Sequence, residues 1–282
     1  MTHAQVLPPA VLLIDVGNTR LKVGWVLPAN GQRETSAIAL NHTDIERLAD
    51  WISNQPVQPV AAIGVNVAGD SLPQSLDALL LQHHAINIHW VHSQPVGASV
   101  RNDYALPAQL GSDRWMAMVG LTGQQDDSNT PMMLANFGTA TTIDTLVRCS
   151  GDGPRWRFVG GLILPGAELM RTSLNTGTAR LPAAQGDAVA FPDSTQLAIS
   201  SGIAAAQAGA VLRQWLAVRD KFQTPPRVFS AGGAWATLET EVQSLLATMQ
   251  IALGLPASPI QWLASPVLDG LAQLACTDQP SP

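Results

Sequence analysis

Asp15 is the only charge in an apolar run, Val11-Leu12-Leu13-Ile14-Asp15-Val16, that ends on Gly17-Asn18-Thr19. A carboxylate there costs several kcal/mol to desolvate unless a cation or hydrogen-bond donors meet it. With Gly17, Asn18 and Thr19 offering backbone N–H groups and side-chain donors, and Lys22 just beyond, the chemistry this pattern suits is the holding of a metal-bound polyphosphate. Asp15 would reach Mg²⁺ through water. The same residues also describe a plain hairpin with an Asn-Thr turn. A second copy favours the first reading. Met132-Met133-Leu134-Ala135-Asn136-Phe137-Gly138-Thr139-Ala140-Thr141-Thr142-Ile143-Asp144 repeats the pattern 121 positions later, matching Asp15 with Asn136, Gly17 with Gly138 and Asn18 with Thr139. Two such strand–turn–strand units imply a nucleotide fold with two phosphate-holding hairpins, and so an ATP-dependent phosphotransferase.

Other groups have two readings each. Asp113, at the start of a helix over Gly111-Ser112-Asp113-Arg114, suits a plain helix terminus, or a general base that accepts a proton from an attacking hydroxyl. Arg114 beside it suits bidentate pairing with a substrate carboxylate. Tyr104, the single tyrosine, either bounds a small-molecule pocket or covers a core edge. Gly232-Gly233, after Val228-Phe229, either lets backbone approach a flat adenine or serves a tight strand-to-helix turn. Asp144 is read as a metal or positioning group, or as an ordinary strand-end carboxylate. His83, His84, His89 and His92 share no face and make a poor metal set.

These residues sit on alternating strands and helices. Strands are expected over 11–16, 20–26, 60–67 and 86–91. Helices are expected from the capping box Thr43-Asp44-Ile45-Glu46 to Ile52, from Leu72 to His83, and from Gly111 to Leu121. The polar stretch 123–131 marks a boundary, giving a lobe over 1–127 and a second over 128–282. The second lobe opens with a strand at 132–136 and a hairpin at 137–147. It continues with a strand over 156–164, a short helix after Pro165-Gly166, and a long Ala-rich helix over 195–222 with a break near Gly202. A strand at 227–230 and helices over 236–249 and 267–275 complete it.

Composition narrows the class. The 282 residues are 46% hydrophobic and 13% charged, as in a well-buried two-lobed protein. A net charge of −6 argues against nucleic-acid binding. Cys149 and Cys276 are isolated, which disfavours zinc and a disulfide framework. No signal peptide and no run of membrane-spanning length is read, so a cytoplasmic protein with no membrane partner is expected.

In order and spacing, the motifs resemble the type III pantothenate kinases (Bvg accessory factor-like proteins) of the acetate kinase/Hsp70/actin superfamily. They are Asp15-Val16-Gly17-Asn18-Thr19, Tyr104, Gly111–Arg114, Gly138–Asp144, Gly160–Gly166, Leu174–Pro182, Ala231-Gly232-Gly233 and Leu268-Asp269-Gly270-Leu271. The resemblance implies an α/β fold of two ribonuclease H-like lobes with a nucleotide cleft between them. It also implies ATP-dependent phosphorylation of pantothenate to 4'-phosphopantothenate, the first step of coenzyme A synthesis. Asp113 matches the family's general base. Tyr104, Gly111, Ser112, Asp113 and Arg114 match pantothenate contacts. Asp15, Val16, Gly17, Asn18, Thr19, Arg20, Leu21, Lys22 and Thr139, with Gly232 and Gly233, match ATP and Mg²⁺ contacts. Thr178 matches a threonine reaching the substrate from a neighbouring subunit, which implies a homodimer. A monovalent cation, K⁺ or NH₄⁺, is also implied. Many members carry Asp at the cation position where this chain has Asn136, whose amide oxygen can coordinate K⁺ but lacks a full charge of attraction. The alternatives are another small-molecule kinase of the superfamily and a catalytically silent nucleotide-binding regulator.

Overall fold

The computed structural model describes residues 7–124, 129–177 and 186–277. Two compact units emerge, Met1–Gln125 with Pro266–Pro282, and Asp126–Ser265.

In the first unit, β1 (Pro9–Val16) is buried along nearly its whole length. Its uninterrupted apolar run reflects cover on both faces. β2 (Arg20–Leu27) returns antiparallel to it, with Asp15 opposite Lys22. β3 (Gln32–Arg33) and β4 (Ile38–Asn41) both pair with β2. Next come α1 (Arg47–Ser53), β5 (Gln58–Asn66), α2 (Ser71–His84) and β6 (Ile88–Trp90). β5 runs parallel to β1, and β6 parallel to β5, giving the order β3-β2-β1-β5-β6. Leu12 and Ile14 of β1 pack with Leu48 and Ile52 of α1 and Leu72, Leu76 and Leu80 of α2. A short hairpin, β7 (Val96–Gly97) and β8 (Val100–Asn102), leads to α3 (Ser112–Leu121).

The second unit repeats this plan. β9 (Met132–Phe137), β10 (Ala140–Arg148) and β11 (Trp156–Pro165) form an antiparallel meander. After α4 (Ala167–Gly177) and α5 (Thr195–Phe222), β12 (Arg227–Ala231) lies parallel to β9. α6 (Trp235–Ala252) and β13 (Gln261–Trp262) follow, with β13 parallel to β12. Read outward from the meander, the order β11-β10-β9-β12-β13 matches that of the first sheet. This order, antiparallel on one side of the first strand and parallel on the other, defines both units as ribonuclease H-like. Ile199, Val211 and Trp215 of α5 and Leu238, Val242 and Leu246 of α6 bury one face of this sheet.

Three local expectations change. The Thr43–Glu46 capping box does not form: His42–Asp44 make a 3₁₀ turn, and α1 starts at Arg47 with no side-chain cap. α5 runs unbroken through Gly202, which faces open space while Ile203 and Ala204 beside it are buried. The last helix, α7 (Pro266–Thr277), packs on α3, β1, β2 and β5 of the first unit, whereas the sequence division put 128–282 in one lobe. Its apolar Leu268 and Leu271 are fully buried. A Cβ on Gly270 would strike the Met116 carbonyl and one on Gly120 the Pro266 carbonyl, so the two glycines let α3 and α7 touch backbone to backbone.

Candidate active site

Asp15 stands at the C-terminal end of β1, beside Val65 of β5 and opposite Lys22 of β2. Ligand sites of open α/β sheets gather at such strand ends. The Gly17 N–H donates to the Arg20 carbonyl at 3.0 Å and so closes the turn. Gly17 therefore shapes the loop, its amide engaged within the turn. Asn18, Thr19 and Arg20 are exposed at the tip, while Val16 and Leu21 are buried beneath. The Gly17 carbonyl accepts from His42 Nε2 at 2.9 Å. Burial pushes the Asp15 carboxyl up to about 7; Lys22 pulls it down and Asp113 pushes it further up.

Asp113 is the second residue of α3, whose N-cap is Gly111. Its Oδ1 accepts from the Arg114 N–H at 2.7 Å, so it does serve the helix terminus. Burial nevertheless raises its pKa above the usual carboxylate value, against the Arg114 amide and the Arg114 charge. A Cβ at Gly111 would sit 2.7 Å from Asp113 Oδ1, which explains the glycine. Ser112 Oγ donates to the Asn66 carbonyl at 3.2 Å, tying α3 to the end of β5. Arg114, 7% exposed, donates from Nη1 to Tyr104 Oη at 3.0 Å and lies 5.8 Å from that ring's centre. The Tyr104 loop is braced by Asn102, which accepts from the Tyr104 N–H at 3.1 Å and donates to the Pro107 carbonyl at 3.1 Å. The first unit thus assembles Asp15, Lys22, Asp113, Arg114 and Tyr104 from four separate stretches of chain. Asn66, Asn102 and His42 were missed in the sequence. None carries a motif: His42 and Asn66 meet their partners, the Gly17 carbonyl and Ser112 Oγ, across the fold, and Asn102 braces its own loop.

In the second unit, Asn136 occupies the place in β9 that Asp15 holds in β1, opposite Thr142 and beside Ala231. The turn here is one residue shorter, with the Gly138 N–H donating to the Ala140 carbonyl at 3.2 Å. The Thr139 carbonyl accepts from the Gly166 N–H at 3.0 Å, and Thr139 itself is exposed. Gly232 has φ +93°, and a Cβ there would run into the Phe137 carbonyl and come within 2.7 Å of Asn136 Oδ1. Space beside Gly233 is open. One glycine is thus required by the turn, and the next leaves room for an approaching ligand. Asp144 is buried in mid-strand against Gly161, away from the strand end. Thr178 lies outside the described residues. No group of three or more His, Cys, Asp or Glu among the described residues is placed to hold a metal ion. Asp15 at the strand end is a single carboxylate of the kind that backs a Mg²⁺ carried mainly by phosphate oxygens and water.

Comparison with known proteins points to one family. The family model described as type III pantothenate kinase matches residues 11–217. A type III pantothenate kinase of Bordetella petrii is 47% identical over 272 residues, covering 96% of this chain and 98% of the relative. One from Bordetella pertussis is 45% identical over 273 residues, covering 96% and 99%. One from Leptothrix cholodnii is 36% identical over 271 residues, covering 94% and 95%.

Proposed function

The chain belongs to the type III pantothenate kinase family, and we propose how its residues divide the work of the reaction. It is an ATP-dependent kinase that phosphorylates pantothenate, the first step of coenzyme A synthesis. One observation carries the assignment of roles: two carboxylates whose pKa burial raises stand in one unit, Asp15 at a strand end opposite Lys22 and Asp113 at a helix start beside Arg114.

Asp113 accepts the proton of the attacking hydroxyl as the new P–O bond forms and ADP leaves. Burial gives it the basicity for that task. Arg114 and Tyr104, with Gly111 and Ser112, hold pantothenate, the guanidinium pairing with its carboxylate. In the first unit, residues 15–22 hold the phosphates, with Asn18 and Thr19 at the tip and Lys22 as a point charge. In the second, Thr139 and the Gly232-Gly233 turn hold ATP. Mg²⁺, when bound with ATP, neutralises developing charge, and Asp15 would hold it through water. Positioning and charge neutralisation supply most of the acceleration.

A monovalent cation fits beside Asn136 through its amide oxygen. A homodimer, with Thr178 of the partner subunit reaching the substrate, has support in the second unit. α5 bears no charge from Thr195 to Leu212, and Ala198, Gly202, Ala205 and Ala206 are exposed on it. Between α4 and α5 lies a cavity of about 480 Å³ with Met170, Leu174, Ile199 and Ile203 in its walls. Phe191 nearby in sequence is 94% exposed. Among the described residues no helix is long and apolar enough to cross a membrane. The reading places the enzyme in the cytoplasm, with its ATP.

The test is ADP release from MgATP with and without pantothenate, for the native chain and Asp113→Asn. We expect pantothenate-dependent turnover that falls about 100- to 10,000-fold in the variant, with ATP affinity kept. Unchanged kcat would refute the base.

A further inference from the structure

His42 is absent from every role above, yet its side chain touches the phosphate loop. β4 runs antiparallel to β2 with Asn41 opposite Arg20, which delivers the next residue, His42, beside residues 17–19. His42 Nε2 lies 2.9 Å from the Gly17 carbonyl. A carbonyl oxygen only accepts, so Nε2 carries a proton and donates.

The peptide joining Gly17 to Asn18 is planar and trans, so its C=O and N–H point in opposite directions. Holding the carbonyl toward His42 therefore aims the Asn18 N–H away from β4, toward the loop's free side. The neighbouring backbone groups are held separately. The Val16 carbonyl accepts from the Val67 N–H at 3.0 Å, and the Gly17 N–H donates to the Arg20 carbonyl at 3.0 Å. Neither bond fixes the plane of the next peptide, and glycine's wide torsional range makes a flip of that plane cheap. The His42 bond selects one of the two orientations.

We propose that His42 is a positioning residue for the phosphate donor, locking the Gly17–Asn18 peptide so that the Asn18 N–H faces the triphosphate. This rests on the reading of residues 15–19 as the ATP loop. The turn that carries His42 is held without its imidazole: Asn41 Nδ2 donates to Asp44 Oδ2 at 3.2 Å and Thr43 Oγ1 to Asp44 Oδ1 at 3.1 Å. Removing the ring therefore leaves the turn in place.

The experiment compares His42→Ala, His42→Gln and Asp15→Asn with the native enzyme, varying ATP and pantothenate separately and recording thermal unfolding. Loss of one hydrogen bond corresponds to about a five- to tenfold rise in KM for ATP in His42→Ala. KM for pantothenate and the unfolding temperature are expected to stay as they are. The Gln side chain, which keeps an N–H donor, is expected to restore most of the ATP affinity. An unchanged KM for ATP in His42→Ala overturns the proposal, as does a parallel rise in both KM values with a lower unfolding temperature. If Asp15→Asn impairs ATP use and His42→Ala does not, only the His42 role fails. If neither does, the loop reading fails with it.

Discussion

Asp15→Asn is expected to make the ligand-free enzyme more stable while removing its activity, and the gain should grow with pH. The Asp15 carboxyl is pushed from 3.8 to about 7, by burial first, with Lys22 opposing and Asp113 adding. Between roughly pH 4 and 7 the folded chain keeps a proton that the unfolded chain has released. The folded state then binds more protons than the unfolded one, and stability falls as pH rises. The slope is about 1.4 kcal/mol per pH unit, with an upper bound of about 4 kcal/mol across the window. Asparagine has the same shape and no ionisation, so this loss is absent from the variant. Asp113 is shifted in the same direction, so the native and variant proteins should share its part of the trend. The diagnostic quantity is therefore the difference between the two proteins. It should be near zero at pH 4 and reach about 1–4 kcal/mol by pH 8. For a chain of this length that is about 2 °C of unfolding temperature per kcal/mol.

The assay is thermal unfolding of both proteins without ligand at pH 5, 6, 7 and 8, in buffers of one ionic strength. A gap that stays constant from pH 5 to pH 8 would falsify burial as the cause of the shift. A variant less stable than the native chain at pH 8 would show instead that the ionised carboxylate is well paired in the fold. The same shift has a consequence for binding. A Mg²⁺-bound phosphate favours the ionised form, so ATP binding below pH 7 should release a proton. Calorimetry in two buffers of different protonation enthalpy would detect the release in the native protein and its loss in Asp15→Asn.

Two further outcomes are expected in the second unit. Gly232→Ala should cost about 1–3 kcal/mol of stability, because a side chain at φ +93° is strained and its Cβ meets the Phe137 carbonyl and Asn136 Oδ1. Unfolding and KM for ATP, measured together, check it. Asn136→Asp should lower the K⁺ concentration for half-maximal activity by about tenfold or more, since a full charge replaces an amide dipole. A K⁺ titration with Na⁺ as control decides, and identical curves would remove the cation from this position.

The two hairpins were legible in the sequence because their physics is local. A charge isolated in an apolar strand, followed at once by glycine and small polar residues, marks a strand end and a tight turn whatever its use. Asp113 was legible only as a pair of alternatives: the structure has it accept the Arg114 amide at the helix start, and burial raises its pKa, which is compatible with the second. What could not be read depends on partners distant in the chain. α7 joins the first unit through Gly120 and Gly270, and in sequence these two glycines read as weak points of helices, not as their contact. The Thr43–Glu46 pattern satisfied a capping rule, yet β4 draws His42 toward Gly17 and the helix starts later. Tertiary pairing outweighed a cap worth about 1 kcal/mol.

The duplicated plan shows how one fold supplies two unlike sites. Asp15 and Asn136 occupy equivalent places, next to last in the first strand of each sheet and beside the parallel strand that follows. In the first unit that place holds an acid whose pKa lies near neutrality, with a lysine opposite and a second acid close by. In the second it holds a neutral amide against a glycine turn whose geometry excludes any Cβ. A carboxylate in the second place would add a charge that needs a cation or hydrogen-bond donors to offset it. Asparagine there carries no charge to neutralise. The first unit, with Asp15, Lys22, Asp113 and Arg114, then carries the charge chemistry. On the proposed reading, the contrast between a charged strand end and a neutral one is thus already present in one difference between two copies of the same hairpin.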